Sequence, residues 1–176
     1  MNNKNGNIVL IGFMGCGKTT FGKWISEHYN MDFVDTDEYI EGKYKRLIRD
    51  IFSEDGEETF RDMETEAVKE LGETLENTVV SVGGGLPLRK INQELLKKTG
   101  IVVYLETSKE ELVRRLKNDD TRPLLQGCDL QERIDSLMKQ REDIYKSAAD
   151  MILPTDGLSF EEMYRTIMGI EGITIF

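Results

Sequence analysis

A chain of 176 residues, 39% hydrophobic and 32% charged, has the length for one domain with a real core and the composition of a soluble globular protein. Its formal net charge of -10 argues against nucleic acid or an anionic membrane surface as main partner, and no apolar stretch is long enough to span a bilayer. Residues 1–7 are short and polar, neither a signal nor a transit peptide, and the two cysteines, Cys16 and Cys128, fit no metal-ligand pattern, so a reducing, cytoplasmic compartment is expected.

The first predicted strand, residues 7–11, runs into Gly12-Phe13-Met14-Gly15-Cys16-Gly17-Lys18-Thr19. This is G-x-x-x-x-G-K-T between a strand and a helix, the pattern of a phosphate-binding loop. The glycines let the backbone curl so that N–H groups point at phosphate oxygens, and the following helix adds its positive end. Lys18 can reach the β- and γ-phosphates, and the Thr19 hydroxyl is placed for Mg²⁺. Cys16 is small enough for the loop, and beside Lys18 at a helix N-terminus it is expected to be reactive and shielded by ATP. His28 ends the first helix and reads as a C-terminal cation.

The second strand, 31–35, ends in Asp35-Thr36-Asp37, at the ligand-binding end of a parallel sheet. One carboxylate could help hold Mg²⁺, the other could bond a substrate hydroxyl, or one could cap the next helix. Asp55 with Glu58 is expected to cap a helix reaching about Leu75. On its apolar stripe of Phe60, Ala67, Val68, Leu71 and Leu75 falls Glu64, with Arg61 one turn before. The pair either binds something or Arg61 forms a surface bridge with Glu57. The third strand, 78–82, ends in Gly83-Gly84-Gly85, a flexible turn or a place where a ligand approaches bare backbone.

The fourth strand, 101–106, is followed by a capping box at Ser108 and Glu111, and by Arg114 and Arg115 on a helix where a solvated face is the simple reading. Residues 118–128 form a polar loop with Arg122-Pro123-Leu124-Leu125, a candidate lid. Asp129 and Glu132 cap a helix whose stripe is Leu130, Ile134, Leu137, Met138 and Tyr145. Arg141 fills the missing position, and an inward guanidinium needs an anion, either a protein carboxylate or a substrate carboxylate. The fifth strand, 150–153, precedes a capping box at Ser159 and Glu162. The β-α alternation implies a parallel sheet covered by helices on both faces.

Taken together, the phosphate loop, Asp35-Thr36-Asp37, Phe60-Arg61-Asp62-Met63-Glu64, the glycine triplet, Arg122-Pro123-Leu124-Leu125 and Arg141 followed by Tyr145 resemble the shikimate kinases of the nucleoside-monophosphate-kinase structural group, over nearly the whole chain. The resemblance implies a three-layer α/β/α P-loop kinase fold with a five-stranded parallel sheet in the order 2-3-1-4-5. It implies one domain over residues 1–176, a shikimate-binding region at about 36–64 and a mobile lid at about 118–128. The implied reaction moves the γ-phosphoryl of ATP to the 3-hydroxyl of shikimate, on the route to chorismate and aromatic amino acids.

By the same resemblance, Lys18, Asp37 and Arg122 are catalytic. Gly12, Gly15, Cys16, Gly17, Lys18, Thr19, Thr20, Arg115, Arg122 and Thr155 bind ATP, with 154–156 as the adenine loop. Asp37, Arg61, Glu64, Gly83, Gly84, Gly85 and Arg141 bind shikimate, and Thr19 and Asp35 bind Mg²⁺. The expected partners are ATP and shikimate, with no nucleic acid and no membrane, for a cytoplasmic monomer. A gluconate-type or nucleoside-monophosphate kinase is the alternative enzyme, and a nucleotide-binding regulatory module the alternative class. The N-K-x-D motif of a GTPase is absent from the sequence.

Overall fold

A computed structural model of the protein describes residues 6–117 and 129–170. Its strands are β1 (Ile8–Ile11), β2 (Asp32–Asp35), β3 (Thr78–Ser81), β4 (Ile101–Glu106) and β5 (Met151–Pro154). All neighbours pair in parallel, in the order β2-β3-β1-β4-β5. β1 lies at the centre and is buried throughout, which is why it reads as an unbroken apolar run. Asn7, just before it, is buried and ties three chain segments together. Its amide donates to the carbonyls of Leu75 and Thr99, and its side-chain oxygen accepts from the Thr78 N–H.

The helices are α1 (Lys18–Tyr29), α2 (Thr36–Tyr44), α3 (Ile48–Glu54), α4 (Gly56–Thr74), α5 (Lys90–Thr99), α6 (Lys109–Leu116), α7 (Leu130–Ala148) and α8 (Phe160–Ile170), with a 3₁₀ turn at Leu86–Leu88. α1 and α8 pack together through aromatic contacts of Phe21 with Phe160 and Tyr29 with Tyr164. α4, α5 and α7 pack on one another as a second group. A small separate core of Ile40, Ile51, Phe60 and Ala67 holds α2, α3 and α4 together. Each buried Ile or Phe of this kind is worth about 1.5–3 kcal/mol. That region, between β2 and β3, carries Asp37, Arg61 and Glu64 of the acceptor-site residues implied above.

Three of the four expected caps form. Ser159 and Glu162 exchange hydrogen bonds in both directions. Asp129 accepts from the N–H groups of Gln131 and Glu132, and Ser108 accepts from the Glu111 N–H. In the Ser108 box the return arm differs: Asp156 takes the Ser108 N–H, and Glu111 pairs with Arg114 and Arg115 instead. Asp55 does not cap α4 with its side chain. Its carboxylate is held by Arg46, and Gly56 turns the chain at φ 85° as the first residue of the helix. His28 lies in the last turn of α1, its ring nitrogen on the Trp24 carbonyl at 2.8 Å.

Candidate active site

The loop after β1 turns through Gly15 at φ 79° and Gly17 at φ 99°, conformations open to glycine and costly to other residues. α1 then starts at Lys18 with no acidic residue in its first turn, so its positive end faces the loop without competition. Lys18 is buried and folds back, donating to the carbonyls of Gly12 and Phe13 at 2.9 and 3.0 Å. Cys16 is 2% exposed and belongs to the main core. Its sulfur accepts from the Lys18 ammonium at 3.6 Å, so the thiol packs in the core and stands beside the lysine at once.

Asp35 does two jobs. One carboxylate oxygen caps α2, accepting from the N–H groups of Asp37 at 3.0 Å and Glu38 at 3.4 Å. The other accepts from the Thr19 hydroxyl at 2.9 Å, and Ser81 lies 3.2 Å from that hydroxyl. A carboxylate and two hydroxyls are hard oxygen donors, and Mg²⁺ prefers such a partial set completed by water and phosphate to a closed cage. Among the described residues no group of three His, Cys, Asp or Glu side chains could hold a metal. The donor set thus fits Mg²⁺.

The glycine triplet is crowded at its first and third positions. A methyl group on Gly83 would lie 2.5 Å from a carboxylate oxygen of Asp37 and 3.3 Å from Glu64, and one on Gly85 would collide with the guanidinium of Arg61. Gly83 and Gly85 are needed here for close approach of these charged groups. Arg61 bridges both of its possible partners, Glu64 at 2.7 Å and Glu57 at 2.9 Å. Arg141 is 8% exposed, and among the described residues it makes no ion pair with a carboxylate. Its guanidinium lies beside Tyr145.

A cleft of about 510 Å³ joins these parts. The phosphate loop from Gly15 to Thr20, Asp35, Asp37, Gly83, Gly84, Arg115 and Thr155 all line it. Arg61, Glu64, Gly85 and Arg141 do not; Glu64 and Arg61 adjoin the glycine loop at Gly83 and Gly85. Arg122 and the rest of 118–128, with Cys128, lie outside the described residues. A sequence model of the shikimate kinase family, described as "SKI: Shikimate kinase", matches residues 14–170. A shikimate kinase of Caldicellulosiruptor saccharolyticus is 43% identical over 93% of this chain and 94% of its own. The solved shikimate kinase of Acinetobacter baumannii in complex with shikimate superposes with a TM-score of 0.87 and 35% identity, over 96% of this chain and 94% of the other. That of Bacteroides thetaiotaomicron gives 0.81 and 34%, over 95% and 97%.

The chain belongs to the shikimate kinase family.

Some lining residues of this family member were not singled out in the sequence. Ser81 interrupts an apolar strand, which was a usable signal. Leu158, Phe160 and Met163 add apolar lining to the same cleft. They follow the 154–156 loop expected to hold adenine, of which Thr155 reaches the cleft while the Asp156 carboxylate accepts from the Ser108 N–H. Arg115 is not merely solvated. It donates to the carbonyls of Gly15 and Cys16 and pairs with Glu111, bracing the outer rim of the phosphate loop.

Glu64, 1% exposed, has its carboxyl pushed up to about 7 from an ordinary 4.5, by burial first, against the opposing Arg61 cation and with Asp37 adding to the rise. The folded chain therefore holds a proton that the unfolded chain has lost between those values. Stability from this group is full below about pH 4.5 and is lost as pH rises through 7. In Glu64→Gln, which cannot ionise, the fall of the urea midpoint between pH 5 and 7.5 should flatten. A wild-type slope retained in that variant would place the titration elsewhere.

Proposed function

We propose that the cleft works as the phosphoryl-transfer site of a shikimate kinase, with the γ-phosphoryl of ATP passing to the 3-hydroxyl of shikimate. Membership of the family makes the chain an ATP-dependent kinase acting on shikimate. The observation that carries the site assignment is the position of Asp37. It lines the cleft shared with Lys18 and Thr19 and touches the glycine loop backed by Arg61 and Glu64.

In this reading the glycines of the phosphate loop and the N-terminus of α1 cradle the phosphates. Lys18 turns from the loop carbonyls to the β- and γ-phosphates and neutralises charge that develops on transfer. Asp37 orients the 3-hydroxyl and takes its proton as the new O–P bond forms and the bond to the ADP oxygen breaks. Arg61 and Arg141 hold the acceptor's carboxylate with their planar forks, and Glu64 fixes Arg61. Thr19 and Asp35 hold Mg²⁺, which supplies further charge neutralisation. Arg115 covers the adenine face beside Leu158 and Phe160, and Arg122, outside the described residues, is assigned to the phosphates. The working unit is one domain over residues 1–176, a cytoplasmic monomer that needs neither nucleic acid nor membrane. No helix among the described residues is long and apolar enough to cross a membrane.

A panel of acceptors separates the readings. With MgATP, shikimate should release ADP, while gluconate and nucleoside monophosphates stay at background, and EDTA should abolish release. ADP release with gluconate or a nucleotide and none with shikimate would overturn the assignment. Background release with every acceptor would favour a regulatory module.

A further inference from the structure

Two buried hydroxyl groups hold the triple-glycine loop, and neither has a part in the chemistry above. Gly83 donates its N–H to the Thr36 hydroxyl at 2.9 Å. The Tyr145 hydroxyl donates to the Gly84 carbonyl at 2.6 Å. Both side chains are 0% exposed. Each stands beside a residue assigned to the acceptor. Thr36 lies between Asp35 and Asp37 at the start of α2, and Tyr145 lies one turn after Arg141 on α7. The loop is thus fastened at successive residues to the two elements that carry Asp37 and Arg141.

We propose that Thr36 and Tyr145 form a two-point clamp that sets the glycine loop for the acceptor, making them positioning residues for shikimate and not for ATP. The inference rests on the acceptor assignment above. Three consecutive glycines have more backbone freedom than any other triplet, so an unfastened loop spreads over many conformers. Apparent affinity falls in proportion to the fraction of molecules that hold the competent one. Gly83 and Gly85 cannot be traded for stiffer residues, because a Cβ there would displace Asp37 or Arg61. Order must therefore come from outside the loop. Tyr145 suits the task. Its ring is wedged against Tyr104 at 5.4 Å, and burial pushes its phenol up to about 12, so it remains a hydrogen-bond donor at every working pH.

The test removes each hydroxyl and keeps the shape: Tyr145→Phe and Thr36→Val, with Thr36→Ser as the conservative control. Shikimate and ATP are titrated separately against each folded variant, and kcat and KM are measured for both. Each deletion should raise the Kd and KM of shikimate about tenfold, the scale of one hydrogen bond. Those for ATP should stay within about twofold, and Thr36→Ser should restore shikimate binding by keeping the acceptor oxygen. Melting temperatures that fall while shikimate binding is unchanged would show packing alone and overturn the clamp. So would equal weakening of both ligands, or a serine variant as impaired as the valine one. If Thr36→Val does not fold, Tyr145→Phe decides. An active wild type with unaltered variants overturns the clamp alone, whereas a wild type that ignores shikimate overturns the activity and the clamp with it.

Discussion

Asp37→Asn should lower turnover of shikimate by about a hundredfold or more, the usual range for losing a positioned general base, while ATP affinity and melting temperature barely move. Asparagine keeps the shape of the side chain and its place against Gly83, but it cannot take a proton. The backbone N–H of residue 37 still reaches Asp35, so the start of α2 stays capped. The change also removes a carboxylate whose charge raises Glu64, which should ease that group down and favour its pairing with Arg61. Single-turnover rates with saturating MgATP, beside an ATP titration and a melting curve, give the split. Near-normal turnover in the folded variant would take Asp37 out of the mechanism.

Lys18→Ala should be at least as damaging to turnover, again by about a hundredfold or more, since it removes charge aimed at the transferring group. Unlike Asp37→Asn it should also touch stability. Lys18 donates two hydrogen bonds to loop carbonyls, and a charged donor of this kind is worth about 1.5–3 kcal/mol. The expected pattern is a large loss of kcat with a modest drop in the urea midpoint. Equal turnover by the folded variant would show that the lysine braces the loop and leaves the phosphates to others. A variant that merely unfolds is recognised by its melting curve, and Lys18→Met, which retains the buried stem, then replaces it.

Some of this site could be read in one dimension because its signals are local. Strand ends fell within one residue of expectation, since strands of a parallel sheet read as short apolar runs bounded by polar residues or glycine. Periodicity placed Glu64 and Arg141 on inward faces, and both are buried. A helix repeats every 3.6 residues whatever surrounds it. The family motifs supplied what periodicity does not contain, the sheet order and the chemical roles. Local rules also misled where a distant group competed. Asp55 has the right spacing to cap α4, yet Arg46, on another segment, holds its carboxylate. Cys16 sits in an exposed-looking glycine loop, yet it is 2% exposed.

The sequence by itself thus determined the strand-loop-helix that binds phosphate, the alternating architecture, and which charged residues turn inward. Each depends on atoms within a turn or two of one another. Only the tertiary structure decided what those inward groups meet. Arg61 bridges Glu57 and Glu64 together, Asp35 caps a helix and binds the Thr19 hydroxyl at once, and Arg141 lies beside Tyr145 without an ion pair among the described residues. The contacts of Thr36 with Gly83 and of Tyr145 with Gly84 span 47 and 61 residues. No local pattern encodes them. They exist because β3 lies between β2 and β1, and α7 packs beside the 3₁₀ turn that follows the glycines. A hydrogen bond is satisfied by whichever partner the packing brings within about 3 Å, and packing is a property of the whole chain.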